Sequence, residues 1–381
     1  MFDLSQFPEL ALKQLIGIGE IAHGSSGLHE IEFQLIQAAI LNLETREIGI
    51  EAPSNIVARL NQLLSYSNNS PLTRESLSEL YPIWRSDKLL AGLQWIYDYN
   101  HDKDNRDDQV SLFGYDVRLP LTEIQQLAEW TNARPELKSS LGQFEKITLA
   151  ELRALEMLSH EHKRDVALRE FNEILFSVDV ILKQKNLPKS IAEIAVRIQS
   201  WATVFRLWAI SGMERAYAER DRLMAEQILK RSRNKEQKGP VLILAHLNHL
   251  LFNNLSVRNS KPHVVAGPVM GNYLHKELSN RYSLIGLFPN EIEISNPGTG
   301  KVESFKSSSK SFESSLGAIG EGARIFRVKN LPDQFNGWIT VGDVEPSNSP
   351  LLQTYSSYDL RLMDQLDFVL AVDQVRSEKL F

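Results

Sequence analysis

The first regular pattern in the chain is the apolar run at residues 14–18, which breaks into glycine and then delivers Glu20, His23 and two serines. A short apolar run bounded by glycine predicts a buried strand. Leu28, Ile31, Leu35 and Ala39 then recur at helical spacing, so a helix is expected through about Leu43, with Ser25 or Ser26 as its N-cap. TREIGIE, Thr45 to Glu51, predicts the next strand. The opening therefore reads strand, helix, strand, the unit of a parallel sheet, and Glu51 is expected at the same sheet edge as Glu20.

From Pro53 to Tyr99 the spacing turns helical, with a polar break at SYSNNSP. HDKDNRDDQ, residues 101–109, is expected to be a solvated loop. Val110 to Gly114 predicts a third strand that runs out into Tyr115 and Asp116. Residues 121 to about 236 carry no strand pattern and read as about four long helices with a basic finish, KRSRNK, suited to a helix C-terminus. PVLILA, residues 240–245, is the most apolar strand, followed directly by His246, Leu247, Asn248 and His249. Runs at His263–Ala266, Tyr282–Leu287, Arg324–Val328, Trp338–Val341 and Phe368–Val372 extend the sheet, and Gly298–Ser315, rich in Gly, Ser and Lys, is expected to be a mobile loop at the site edge.

These elements predict an α/β fold, a mostly parallel β-sheet core flanked by helices. A large inserted helical bundle is expected to act as a cap over the cleft at the strand ends. The whole chain, 1–381, is read as one domain, with the core from about 1–120 and 238–381 and the insertion at about 121–236.

Composition narrows the chemistry. A net charge of -6 argues against a general nucleic-acid binder. The absence of cysteine excludes disulfides, thiolate nucleophiles and cysteine metal sites. No apolar run reaches the roughly 18 residues a membrane span needs, and the first residues lack a basic segment followed by an apolar one, so a cytoplasmic protein off the membrane is expected.

Four strand ends deliver polar side chains: Glu20 with His23, Glu51, Asp116, and His246 with His249. In a parallel sheet such ends lie along one edge, where ligands bind. A histidine titrates near neutrality, and a carboxylate beside it fixes its tautomer and steadies the imidazolium, so Glu20 or Glu51 could orient His23 as a general base. There is no G-x-S-x-G elbow, which favours water over an enzyme nucleophile. Ser25 and Ser26 are better explained as caps than as nucleophiles. The set Glu20, His23, Glu51, His246 and His249 could instead bind a divalent metal, although its spacing matches no compact helical metal motif. Arg220 could stabilise an oxyanion. The competing reading is a surface network in which Arg215 pairs with Glu219 at i, i+4.

The pieces GEIAHG at 19–24, EAP at 51–53, FGYD at 113–116, ERDRLMAEQ at 219–227, AHLNH at 245–249, MGNYL at 270–274 and SFESSLG at 311–317 stand in the order of the motifs of the erythromycin esterase family. The chain resembles that family from about Leu15 to Phe381. The resemblance implies a hydrolase that opens macrolide lactones with activated water, on an α/β core with a helical cap. It places the general base on His23, supporting acids on Glu20 and Glu51, the second histidine pair on His246 and His249, and a further site residue on Arg220. Ser25, Ser26, Asp116, Met270 and Glu313 are carried as substrate-binding candidates. The chain departs from the family pattern at Ala22, Leu244 and Gln227, and residues 28–45 lack the usual basic residue and carry Glu32. Relatives of this kind are also labelled as polysaccharide (succinoglycan-type) or secondary-metabolite biosynthesis proteins.

The expected activity is hydrolysis of a carboxylic ester or lactone in a natural product, with no resident cofactor and a small-molecule substrate as the partner. The alternatives are acyl transfer, elimination or ring closure in the same pocket, or noncatalytic binding of a metabolite.

Overall fold

In a sheet that has nine strands among the described residues, the most apolar segment of the chain lies between two parallel neighbours. Strand β4, Val241–His246, is buried throughout. It pairs with β1, Leu15–Glu20, on one side and β2, Glu47–Pro53, on the other. A strand hydrogen-bonded on both edges and covered on both faces has no solvated position, which is why VLILA lacks alternation. The computed structural model describes residues 2–118, 121–134, 164–234, 238–253, 257–261, 267–296, 299–317, 322–345 and 357–381.

The chain divides into two units. The first comprises Met1–Tyr115, Ala225–Val264 and Pro268–Phe381; the second comprises Asp116–Met224 with Val265–Gly267. In the first unit, a short helix α1, Pro8–Ala11, precedes β1. Helix α2, Ser26–Leu43, connects β1 to β2, and α3, Ser54–Leu64, and α4, Asp87–His101, lead to β3, Ser111–Asp116. The sheet order is β10 (Val344–Glu345), β7 (Val302–Ser307), β6 (Tyr282–Ser295), β1, β4, β2, β3, with β12 (Phe368–Val375) paired to β6 and β8 (Arg324–Arg327) paired to β12. Strands β2, β4, β1, β6 and β12 run parallel; β7, β10 and β8 pair antiparallel at the margins. A separate antiparallel sheet has the order β5 (Val257–Lys261), β11 (Ser357–Leu360), β9 (Ile339–Val341).

The second unit contains, among the described residues, α5, Leu121–Asn132, α6, Arg164–Leu182, α7, Lys189–Ser211, and the first part of α8, Met213–Ser232. Its core is aromatic: Phe171 of α6 meets Trp201 of α7 edge to face with ring centres 5.4 Å apart. Buried Glu123 of α5 is held by Arg197 of α7 at 3.2 Å. Gly212 turns α7 into α8 with φ of 83°, a conformation that favours glycine.

Register decides what reaches the sheet edge. Leu15 is level with Val241, and the pairing continues to Glu20 beside His246. Ile50 is level with Leu244, so Glu51 comes level with Ala245 and Gly19. The pleat then sends Glu20 and His246 to one face and Glu51 to the other. On that second face the short helix α9, Leu247–Leu250, lies directly against the sheet, since a Cβ on Gly19 would stand 3.1 Å from the Leu247 backbone.

One expectation is corrected. Residues 302–307 are strand β7, and Phe312–Gly317 is helix α11, which follows α10 at Met270–Leu278; neither is loop. The cause lies in β6, Tyr282–Ser295, which runs beyond the end of β1 and exposes an edge that β7 covers, Glu291 pairing with Lys306 and Ser295 with Val302. Phe305 and Ser307 are the buried positions of a strand that is otherwise exposed, too little apolar pattern to stand out in a Ser- and Lys-rich stretch. The expected strand at 263–266 lies outside the described residues, where β5, Val257–Lys261, ends just before it. Strand β6 extends well past Leu287, and β8, Arg324–Arg327, β9, Ile339–Val341, and β12, Phe368–Val375, fall close to the expected runs. Strands β10, Val344–Glu345, and β11, Ser357–Leu360, complete the set. Among the described residues no helix is long and apolar enough to cross a membrane.

Candidate active site

Beyond Glu20 the chain turns through Ile21, Ala22, His23 and Gly24 before α2 starts. Gly24 has φ of 86° and its carbonyl accepts from Ser295 N at 2.9 Å, which ties the turn to the far end of β6. The turn folds His23 back on Glu20, so that Nδ1 lies 2.6 Å from Glu20 Oε1. Glu20 is sealed from solvent, whereas the His23 side chain keeps 21% of its exposure. Burial opposes charge on the imidazole, but the hydrogen bond and field of Glu20 outweigh it, so the His23 pKa is held above its ordinary value. Burial likewise pushes Glu20 above the usual carboxylate range, against the pull of His23.

A second carboxylate–imidazole pair forms on the other face. Glu51 Oε1 lies 3.6 Å from His249 Nε2 on α9, and Glu51 Oε2 accepts from His246 N at 3.2 Å. The Glu51 carbonyl is held by the indole of buried Trp84. His246 stands between the two pairs, its ring edge to face with His23 at 4.9 Å. Both its nitrogens are engaged by backbone: Nε2 donates to Ile21 O at 3.2 Å, and Nδ1 accepts from Asn248 N at 3.3 Å. Burial, with His23 and His249 nearby, holds its pKa well below the ordinary value, so the ring stays neutral in this tautomer. His246 is built to pin the turn after β1, and its ring has no nitrogen left for a substrate.

The start of α2 is occupied by the end of the chain. Ser26 N donates to Ser377 Oγ at 3.1 Å, and Glu378 N donates to Ser26 Oγ at 2.6 Å. A Cβ on Gly27 would stand 2.1 Å from Arg376 O. Ser25 and Ser26 are both fully buried, and Ser25 Oγ has no partner. Ser26 therefore joins the helix start to the chain end, and among the described residues neither hydroxyl is hydrogen-bonded to an imidazole.

Deeper along α2 the sequence supplied two residues that motif reading passed over. His29 Nδ1 lies 2.7 Å from Ser86 Oγ, its ring stacks on Trp84, and burial takes its pKa down to about 3. Glu32 is completely buried, and among the described residues neither carboxyl oxygen has a hydrogen-bond partner. Burial, and then the charge of Glu20, push its pKa well above the carboxylate range. The available signal was the apolar character of α2 on nearly every side, which leaves a charged residue nowhere to be solvated.

Asp116 and Arg220, both in the second unit, are brought to each other. Arg220 Nε donates to Asp116 Oδ1 at 2.7 Å, and both side chains are buried. Glu219, expected to pair with Arg215, is held by Arg222 at 2.6 Å. Met270 begins α10 as a fully buried core side chain. Glu313 on α11 is also buried; its Oε1 accepts from Gly342 N at 2.8 Å, and burial pushes its pKa up to about 7. No three of His, Asp and Glu among the described residues are placed to hold a metal ion together.

A sequence model described as erythromycin esterase matches residues 48–375, a span that includes Glu51, Arg220, His246 and His249 and begins after His23. No curated protein matches the chain. Among solved structures, a succinoglycan biosynthesis protein is 16% identical with a TM-score of 0.75, the match covering 98% of this chain and 91% of that one. A protein from Bacillus cereus is 15% identical with a TM-score of 0.71, covering 99% and 92%. A histidine-to-asparagine mutant of the erythromycin esterase EreC, in its open conformation, is 16% identical with a TM-score of 0.68, covering 100% and 96%. At these identities the three structures establish a shared fold over the whole chain.

Proposed function

The chain belongs to the erythromycin esterase family, and from that premise we propose that it hydrolyses a carboxylic ester or lactone with water activated by His23. The observation that carries this reading is the 2.6 Å contact between Glu20 Oε1 and His23 Nδ1 at the end of β1. A carboxylate on Nδ1 fixes the tautomer that leaves Nε2 basic, and it steadies the imidazolium once a proton is taken. His23 removes a proton from water as the oxygen attacks the acyl carbon. The imidazolium then returns that proton to the departing alkoxide, so ester plus water gives acid plus alcohol. His249, backed by Glu51, is the donor to the developing oxyanion.

Two features support water as the nucleophile. The chain has no cysteine, and the Ser26 hydroxyl already accepts from the Glu378 N–H. His246 supports the reading as the element that holds the turn carrying His23. The substrate class follows the family, a macrolide or another natural-product ester, and no resident cofactor is assigned. The reading is tested by mass-resolved turnover of macrolides, simple lactones and esters by the wild type and His23→Ala, with a chelator arm. Gain of one water, abolished in the variant and retained with chelator, is the expected result. A product with no added water points instead to acyl transfer, elimination or ring closure, and saturable binding without product points to a binding protein.

A further inference from the structure

Strand β6 runs past the end of β1, and its last residue reaches the turn that carries His23. The two strands are level from Leu15 beside Tyr282 to Gly19 beside Gly286, and β6 then continues to Ser295. There Ser295 N donates to Gly24 O at 2.9 Å. At the other end of the same turn, Ile21 O accepts from His246 Nε2 at 3.2 Å. The carbonyl two residues before His23 is thus held from β4, and the carbonyl one residue after it is held from β6.

Gly24 lends the turn little stiffness of its own, because at φ of 86° a glycine passes to other conformations with little steric resistance. Ser295, by contrast, is firmly placed. It pairs with Val302 of β7, its Oγ accepts from Leu380 N at 3.3 Å, and it is buried. The segment that supplies Leu380 is itself anchored to β6, since Ser377 N donates to Glu293 Oε2 at 2.9 Å. His23 depends on such a hold because its partner belongs to β1. Its Nδ1 lies 2.6 Å from Glu20 Oε1, and a shift of the turn by about 1 Å takes that contact out of hydrogen-bond range.

We propose that Ser295 is a positioning residue for His23, its backbone N–H holding the Gly24 carbonyl so that the imidazole stays on Glu20. The proposal rests on the reading of Glu20 and His23 as the acid/base pair. It gives the overhang of β6 a task at the site besides its pairing with β7.

The groups around His23 set the direction of the effect. Glu20, Glu51, His29, His246 and His249 bear on its ring, and Glu293 of β6 is paired with Arg376. Burial depresses the pKa of the ring, and the hydrogen bond and field of Glu20 outweigh burial and hold it above the ordinary value. Loss of the Glu20 contact lowers it in either case: a ring that stays buried is pulled down, and a ring that reaches water returns to the ordinary value.

The test is an NMR titration of the His23 ring in the wild type, Ser295→Pro and Ser295→Ala. Proline lacks both the N–H and the hydroxyl, whereas alanine lacks the hydroxyl alone, so the difference between the variants isolates the N–H. Ser295→Pro should lower the His23 titration by about half a pH unit or more, and Ser295→Ala should hold it within about two tenths. On an ester that the wild type turns over, Ser295→Pro should lower kcat about tenfold and leave KM within about twofold. Equal titrations in wild type and Ser295→Pro overturn the proposal, as does an equal shift in both variants. If Ser295→Pro does not fold, amide hydrogen exchange of the wild type decides: a Ser295 N–H protected like the amides inside β6 sustains the proposal, and one that exchanges like an open loop overturns it. Neither the titration nor the exchange needs a substrate. The expected ring response without turnover of any ester therefore keeps the positioning role and removes the hydrolase reading. Turnover that is lost in His23→Ala, with no ring response in Ser295→Pro, does the reverse.

Discussion

Replacing Glu313 by glutamine should stabilise the protein at neutral pH and leave it nearly unchanged in acid. Glu313 is fully buried on α11, with Oε1 accepting from Gly342 N at 2.8 Å and Oε2 without a partner. Glutamine presents the same carbonyl oxygen to Gly342 and removes the ionisable proton. In the wild type, burial raises the carboxyl from 4.5 to about 7. A raised acid favours folding below its unfolded pKa, and that contribution is lost as pH rises toward the folded pKa. Between pH 4.5 and about 7 the loss comes to about 3 kcal/mol, at about 1.4 kcal/mol for each tenfold in proton affinity. Urea unfolding of both proteins across that window reads the difference directly, because every other titrating group is common to the two. The gap between them should open by about 3 kcal/mol in favour of Glu313→Gln and then flatten above the folded pKa. Parallel stability curves across the window would refute the argument, because they would mean that Glu313 ionises freely in the fold.

Three further outcomes follow from the site. In Glu20→Gln the carboxylate that holds the His23 pKa up is gone, so the low-pH limb of kcat/KM should move to lower pH and kcat should fall by about 100-fold, both read from a pH–rate profile. The wild-type profile itself should lose activity as pH falls through the raised His23 pKa, since the base must be unprotonated. Gly27→Ala should lower Tm sharply, with a cost of about 2 kcal/mol or more in chemical unfolding, because its Cβ would stand 2.1 Å from the Arg376 carbonyl and push the chain end off α2.

The parallel core was legible because burial on both faces writes itself into sequence as unbroken apolar runs. Strands β1, β2, β3 and β4 each lie within a few residues of where the pattern put them. Strand β7 was not legible, because it owes its pairing to the overhang of β6 past β1, a length that Tyr282–Leu287 alone does not announce. At the site, Glu20 and His23 could be paired from a spacing of three residues. The job of His246 could not be read, since its partner Ile21 is 225 residues away and depends on register. Ser26 illustrates the same limit: the tail residue whose N–H it accepts is 352 positions distant. Glu32 was visible only as a departure from a family pattern, and its character comes from the burial of α2 on nearly all sides.

The measurement that bears most directly on the account is turnover of the best ester or lactone substrate by His23→Ala, with Tm recorded alongside. The account predicts a fall in kcat of about 100-fold to 10,000-fold with Tm close to the wild type, since His23 is the most exposed member of its pair and bears little of the core. A folded His23→Ala protein that keeps most of its turnover would contradict it and take the proton transfer away from β1.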